Sequence, residues 1–545
     1  MSRNQQRQLA KQAARSPSPP VRPSLDQLFA DAIAHHMAGR EDQAEQLYRM
    51  ILAVPPVQAE TSYNLGLLYQ TKGRLVEAVA AYRYAVLLKQ DHIDAYCNLA
   101  TALQDLGQRD EAIEIYHKAI AIHPDFAMAY CNLGVALKEQ RQAEQSLAAY
   151  RRAIDLRPSY DFAFANMAAV LLDLGRLDDA KAACSRAIEL NPLMPMAHFN
   201  LGATLKAENK PAEAEAVFRD AIKLNPDFTE AHFTFAQVLL HQEKYREGWD
   251  EYEWRWKLPQ YRWLRDMHGD FAQPLWQGED ITGKTLLVYC EQGVGDALQY
   301  VRYIRQLIAE RGVHVILAVH PPLLRLLAQI EGATVIALDQ VPLPAFDLHC
   351  PLISLPRLFG TDKHNIPAEI PYLSADPADI ERWRRRIPGQ GKRVGIVWAG
   401  NPDQTGDALR SPRLKAVLPL FEVPGVTFVA LQVGPGRADL EKYPLPANVI
   451  DLGPEIGDFA DTAAIISGLD LVISSCTAPL HLAAALGVPT WGMIPFAPHF
   501  LWQNDRTDSP WYPNLRLYRQ AEAGNDWRNV TAAISDDLAK LADQD

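Results

Sequence analysis

A 34-residue pattern runs seven times through the first half of this 545-residue chain without insertion or deletion, starting at Leu25, Ala59, Ile93, Ala127, Asp161, Pro195 and Thr229. The eighth position is always small: Ala32, Gly66, Ala100, Gly134, Ala168, Gly202, Ala236. So is the twentieth: Ala44, Ala78, Ala112, Ser146, Ala180, Ala214, Gly248. Four places later stands an aromatic residue (Tyr48, Tyr82, Tyr116, Tyr150, Phe218, Tyr252), replaced once by Cys184. Pro56, Pro124, Pro158, Pro192 and Pro226 close most copies. Small residues let two helices cross closely, the aromatic side chain fills the gap, and proline ends the second helix.

This pattern resembles the tetratricopeptide (TPR) repeat, which implies an α-solenoid whose concave surface binds other proteins. The sixth position of the middle copies forms a ladder of Asn64, Asn98, Asn132, Asn166 and Asn200, and it stops at Ala30 and Thr234. Asn is a poor residue inside a helix, at a cost of roughly a few tenths of a kcal/mol each relative to Ala. Either an ancestral repeat carried it, or the amides act as a peptide clamp, since each offers a donor and an acceptor. The ladder resembles that of the TPR superhelix in O-GlcNAc transferases, which implies that these five residues hold an acceptor polypeptide.

Hydrophobic content of 48% and charged content of 22% are ordinary for globular protein. A net charge of −12 argues against nonspecific nucleic-acid binding. Cys97, Cys131, Cys184, Cys290, Cys350 and Cys476 form no C-x-x-C pair and read as small buried residues in a reducing compartment. No apolar run approaches the roughly 20 residues needed to span a bilayer. The Pro- and Gln-bearing N-terminus lacks the apolar region of a secretory signal. A disordered tail and a cytoplasmic location are therefore expected.

The repeats end in Trp249, Tyr252, Trp254, Trp256, Tyr261 and Trp263. A terminal repeat needs its face covered, so these aromatics are expected to pack the solenoid onto the second half of the chain; an exposed ligand platform is the alternative. From about residue 283 short apolar runs alternate with helical stretches: KTLLVYC, a helix over Ala297–Arg311, VHVILAV, a helix near Leu323–Ile330, then ATVIAL. The alternation restarts at KRVGIVWAG and continues through VTFVALQ, NVIDLG, LDLVISS and VPTWGMIP. Fully apolar strands separated by helices predict parallel sheets, here as two Rossmann-like lobes facing a cleft, with ligands at the carboxyl ends of the strands.

Three segments carry candidate chemistry. EQGVGD at Glu291–Asp296 joins a strand to a helix, and Gly293 and Gly295 let backbone approach a ligand. Leu298 stands where a dinucleotide fingerprint has its third glycine, which disfavours an NAD site. Asp296 is either a helix cap or a general base for an acceptor hydroxyl; His320 is a second candidate base or a structural residue. LVISSCTAPLHLAAALGVPTWGMIP predicts a helix from Ala478 whose N-terminus, with Ser475, Cys476, Thr477, Ala478 and His481, cradles a diphosphate; an ordinary capped helix is the alternative. WAGNPDQTGDALRSPRLK offers Asn401 and, with Arg410, Arg413 and Lys415, charge to neutralise phosphate. Gln432 ends the strand VTFVALQ and joins the candidate donor contacts. Asn504–Gln520 reads as an aromatic-rich loop closing part of the cleft.

QGVGD, VGIVWAGNP, Arg410–Ser411 and TAPLHLAAALGVPT together resemble glycosyltransferase family 9, the ADP-heptose-type transferases of the GT-B fold, over about residues 283–520. The resemblance is strongest to bacterial fusions of TPR arrays with such domains. It implies that Asp296 is the base and that Thr477–His481 holds the donor diphosphate; the family commonly has Asp where this chain has Cys476. The only Asp-x-Asp spacing in this half is Asp543–Asp545, which predicts chemistry without a metal. The expected domains are a tail (1–24), a TPR superhelix (25–262), a first, acceptor-side lobe (263–375), and a second lobe with the nucleotide-sugar side and a C-terminal helix (376–545). The expected activity is transfer of a sugar from a nucleotide-sugar co-substrate, with no other cofactor, to a protein acceptor such as flagellin or another surface protein. The alternatives are a transferase for lipopolysaccharide or capsule and a non-catalytic TPR scaffold whose second half has decayed.

Overall fold

The computed structural model describes residues 24–261, 267, 271–387, 391–402, 407–504 and 506–543. The expected N-terminal tail up to residue 23, Trp263 and Asp545 lie outside the described residues. The chain divides into two compact units, one up to Leu174 and one from Gly175.

Helices recur at the period of the sequence. The first unit holds α1 (Leu25–Met37), α2 (Glu41–Leu52), α3 (Ala59–Thr71), α4 (Leu75–Leu88), α5 (Ile93–Asp105), α6 (Arg109–Ile122), α7 (Ala127–Glu139), α8 (Ala143–Leu156) and α9 (Asp161–Asp173). The second continues with α10 (Leu177–Leu190), α11 (Pro195–Ala207), α12 (Pro211–Leu224), α13 (Thr229–His241) and a shorter α14 (Tyr245–Tyr252). Position eight meets position twenty-four as the pattern requires. A Cβ added to Gly66 would lie 2.6 Å from the Tyr82 ring, and one on Gly134 would lie 2.6 Å from that of Tyr150. Ser146 at position twenty donates its hydroxyl to the Gly134 carbonyl (2.6 Å). The turn inside each copy uses a left-handed residue at position fifteen, supplied by Gly39, Gly73, Gly107 and Gly175 but also by Arg141, Asn209 and Glu243.

In the second unit α14 leads to two parallel sheets. The first contains β1 (Thr285–Tyr289), β2 (His314–Val319), β3 (Ala333–Ala337) and β4 (Leu348–Pro351) in the order β3-β2-β1-β4. The second contains β5 (Lys392–Val397), β6 (Val426–Ala430), β7 (Val449–Asp451), β8 (Leu471–Ser475), β9 (Thr490–Ile494) and β10 (Leu515–Arg519) in the order β10-β9-β8-β5-β6-β7. Strand order reverses beside β1 in one sheet and beside β5 in the other. Such reversals open a crevice at the carboxyl ends of the strands, where α/β proteins bind ligands. The region after the repeats is thus α/β.

Three local expectations are corrected. The helix expected over Ala297–Arg311 is two helices, α15 (Val294–Tyr300) and α16 (Arg302–Arg311), and at the break Arg302 Nε donates to the Gln299 carbonyl (2.9 Å), which gives that carbonyl a side-chain partner. The helix near Leu323–Ile330 is one turn, Leu324–Leu327. The segment read as a loop to Gln520 contains β10, whose Leu515, Leu517 and Tyr518 are buried against the second sheet.

The repeat packing makes two opposite predictions. Gly134→Ala should lower stability by about 1–3 kcal/mol through overpacking against Tyr150, although Ala is the better helix former. Arg141→Gly should raise it by about 1 kcal/mol by relieving a left-handed side-chain residue. Urea unfolding of both variants checks this; an unchanged Gly134→Ala midpoint would mean that Tyr150 yields freely.

Candidate functional site

The loop after β1 is held from three directions. Arg255, fully buried just beyond α14, donates from Nη2 to Glu291 Oε1 (3.0 Å) and to the Ser354 hydroxyl (2.8 Å), and from Nη1 to Glu253 (2.7 Å). Glu291 Oε1 also accepts the Ile353 N–H (3.2 Å). Burial pushes the Glu291 carboxyl up, and Arg255 pulls it back. His320 donates its Nε2–H to the Gln292 carbonyl (2.6 Å), and the Tyr252 hydroxyl donates to Gln292 Oε1 (3.1 Å). His320 therefore anchors this loop, with the Nε2 proton committed to backbone.

Asp296 stands in the first turn of α15, where its Oδ2 accepts the Gly293 N–H (3.1 Å). It keeps some exposure although protein closely surrounds it. Desolvation raises its pKa to about 6, against the pull of the Gly293 N–H and the Arg410 guanidinium. It is thus both a cap and a carboxylate adjusted toward neutral pH.

The loop after β5 is held by Gln432. Its Oε1 accepts the N–H groups of Trp398 (3.1 Å) and Ala399 (2.9 Å), and its Nε2 donates to the Ala399 carbonyl (3.1 Å). Gln432 is an organiser of the loop. Gly400 donates its N–H to the Ser411 hydroxyl (2.9 Å), which donates to the buried Asp407 (2.9 Å). Arg410 donates its Nε to the same carboxylate (3.2 Å). A Cβ on Gly400 would lie 3.1 Å from the Thr477 methyl and 3.2 Å from Arg410 Nη2. The missing side chain lets these two segments close together. Asn401 is exposed beside them, and Lys415 lies exposed on the short helix Arg413–Val417, outside this cluster. Arg413 is paired with Asp439 (2.7 Å).

The third segment follows β8. Ser475 is fully buried and its hydroxyl has no partner. Thr477 precedes α17 (Ala478–Ala485) in an extended conformation and turns its hydroxyl onto the Ser475 carbonyl (3.2 Å), leaving the helix without a side-chain cap. A Cβ on Gly295 would sit 3.7 Å from the Ala478 nitrogen and 3.4 Å from the His481 ring. The first turns of α15 and α17 therefore meet across a glycine, which brings the Asp296 turn to the Ala478 turn. His481 Nδ1 shares a hydrogen bond with the Tyr512 hydroxyl (2.9 Å), and burial with Arg302 and Arg410 nearby lowers its pKa to about 3. The Trp502 indole donates to Cys476 Sγ (2.7 Å), while burial pushes this thiol up.

Sequence reasoning missed Arg255, Trp502 and Tyr512 as parts of this site. The aromatic richness of Asn504–Gln520 was the available signal for Tyr512; nothing in the sequence singled out Arg255. The asparagines divide between units. Asn64, Asn98, Asn132 and Asn166 are half-buried in the first. Asn64 donates to the Glu60 carbonyl (2.8 Å), Asn98 to the Tyr63 hydroxyl (3.1 Å), and Asn166 bonds the Cys131 thiol. Asn200, in the second unit, is buried, so its amide is not displayed like the others. Among the described residues no group of three or more His, Cys, Asp or Glu is placed to hold a metal, and no helix is long and apolar enough to cross a membrane.

The family model of the cilia and flagella-associated protein 70 C-terminal domain, a TPR model, matches residues 5–256. Protein FlbA of Caulobacter vibrioides is 28% identical over 339 residues, covering 56% of this chain and 54% of that protein. The chain thus spans about half the length of the curated relative it matches. A tetratricopeptide repeat protein from Parabacteroides merdae is 16% identical, covers 42% of this chain and 91% of its own, and gives a TM-score of 0.38. A thermophilic TPR protein of Thermus thermophilus is 23% identical, with coverages of 33% and 99% and a TM-score of 0.30. With the family match and the recurring helix pairs, the chain is a TPR-repeat protein that continues into an α/β region.

The buried Arg255 contacts predict a coupled stability effect. Arg255→Met strands Glu291 without its cation and should cost about 3–5 kcal/mol. Arg255→Met with Glu291→Met removes both charges and should recover a large part of that loss. Equal urea midpoints for the single and double variants would show that the pair is not coupled.

Proposed function

We propose that this chain is a glycosyltransferase of the GT-B type that moves a sugar from a nucleotide-sugar donor to a protein acceptor. The observation that carries the reading is the meeting of three loops from the carboxyl ends of two parallel sheets. They gather Asp296, Arg410 and the uncapped first turn of α17. Arg410 and the α17 N-terminus suit a diphosphate, because a guanidinium and the positive end of a helix both favour an anion. They can take the leaving-group charge that a metal ion otherwise takes. Asp296 is the base that removes the proton from the acceptor hydroxyl. A carboxylate with a pKa of about 6 is a stronger base than an ordinary aspartate and is still ionised at neutral pH.

The ladder supports a polypeptide acceptor. The amides of Asn64, Asn98 and Asn166 each commit one contact inside the solenoid and keep further donor and acceptor capacity. Flagellin or another surface protein is the acceptor class we favour. A scaffold without catalysis is the second reading, favoured by Cys476, whose thiol is occupied by Trp502. Thermal shifts with a panel of nucleotide sugars separate the two. A true donor at 100 times its dissociation constant adds roughly 2.7 kcal/mol, whereas no shift with any member would favour the scaffold.

Asp296→Asn keeps the Gly293 contact but cannot take a proton. Donor binding should persist while turnover falls by roughly 10²–10⁴-fold. In the wild type the base is lost when protonated, so kcat/KM should fall as pH drops through about 6 and level off above it. A profile flat from pH 5 to 8 would exclude Asp296 as the base.

Converting Asn98, Asn132 and Asn166 together to Ala should leave the first unit folded, raise KM for a full-length protein acceptor, and leave donor hydrolysis unchanged. Unaltered acceptor kinetics would mean that the ladder is inherited consensus.

A further inference from the structure

The repeats bring a cation of their own to the α/β region. Lys206 lies near the end of α11, and its ammonium donates to Gln237 Oε1 on α13 (2.6 Å). Among the described residues no carboxylate lies within salt-bridge distance of it. One turn beyond Gln237, His241 donates its Nε2–H to Asn504 Oδ1 (3.0 Å), and α13 packs on the turn Phe500–Trp502. That turn carries the Trp502 indole to Cys476. His499 immediately precedes it, and Lys206, His481, His241 and Arg410 all lie near enough to repel a proton from its ring. Lys206 and His499 are both partly exposed although protein closely surrounds them, as befits the walls of a recess.

An ammonium in such surroundings, paired only with a neutral amide, is costly unless an anion completes it. Lys206, which has only an amide partner, and Arg410, whose Nε is spent on Asp407, stand around neutral imidazoles and suit a multiply charged anion, because one diphosphate can pair with the ammonium, add to the contacts of the guanidinium and accept an imidazole N–H. We propose that Lys206, a residue of the TPR array, is the second cation of the donor-diphosphate site, sharing the surroundings of His499 with Arg410. This rests on the reading of the Arg410 and α17 segments as the donor site. The last repeats would then complete the donor pocket as well as lead the acceptor to it, and the α/β region alone would bind donor poorly.

The test uses the full chain and inorganic pyrophosphate, followed by titration calorimetry, with thermal unfolding of each variant. Wild type should bind, and Lys206→Met and Arg410→Ala should each bind roughly ten- to a hundredfold more weakly. Lys206→Arg should stay within a few-fold. Without pyrophosphate, Lys206→Met should melt above wild type, because an unpaired ammonium has been removed. Wild-type affinity in Lys206→Met with a loss in Arg410→Ala would overturn the role of Lys206 and leave the donor site standing. A loss in Lys206→Met alone would overturn the pairing with Arg410. A Lys206→Met variant that binds weakly but melts below wild type would make the lysine structural and overturn the proposal. Absence of pyrophosphate binding by the wild type would overturn both readings.

Discussion

Arg255 fixes the loop on which the candidate site is built. Its guanidinium is fully enclosed and bonded to Glu253, Glu291 and Ser354, and it lies 4.8 Å from the Trp256 ring centre. Glu291 follows β1, Ser354 follows β4, and Arg255 belongs to the end of the repeats. A buried ion pair is weak evidence for stability but enforces geometry, because breaking it leaves a bare charge inside the protein. Trp249 packs edge-on to Tyr300 and to Phe500, and Trp256 to Tyr289. Trp249 and Trp256 therefore act as packing, and Trp249 seats the last repeat against both the α15 turn and the Phe500–Trp502 turn.

Close approach is the second requirement. Gly295 and Gly400 are where a methyl group would press on neighbouring segments, the first on α17 and the second on Thr477 and Arg410. Both stand just after the first strand of their sheet, beside the reversal of strand order. The glycines after β1 and β5 bring backbone near backbone, so the Asp296 turn can face the Ala478 turn with no side chain between them.

The repeats were legible residue by residue because each helix pair needs the same small and aromatic partners at the same phase, and helical contacts within a copy are local in sequence. The parallel strands were legible from their continuous apolar runs. The start of α17 at Ala478 could be read from the turn before it. The roles of individual polar residues were harder to read. Gln432 and His320 have side chains suited to a ligand, yet the structure turns each onto backbone. Ser475 lies in the expected turn, buried and with its hydroxyl unpartnered. These outcomes depend on which carbonyl or N–H lies across the fold, which local spacing does not encode. Lys206 and His499 are brought together by packing between segments almost 300 residues apart in sequence, and no periodicity marks either one.

The electrostatics of the site oppose folding over most of the pH range. Asp296 has a folded pKa near 6, above its ordinary value, so the folded chain loses stability as pH rises from about 4 to 6 and does not regain it above. His481 and His499 have folded pKa values near 3, below the ordinary imidazole value. The unfolded chain takes up their protons below about 6.5 while the folded chain refuses them, so stability falls as pH drops from there toward 3. At neutral pH the imidazoles remain uncharged beside Arg410 and Lys206, and the ionised carboxylate of Asp296 is kept poorly solvated. Arg410 is paired with Asp407, while Lys206 has only the Gln237 amide. On the proposed reading, a donor diphosphate beside the cations and an acceptor hydroxyl beside the carboxylate would offset these costs. That complementarity, more than any single residue, is the physical basis of the proposed group transfer.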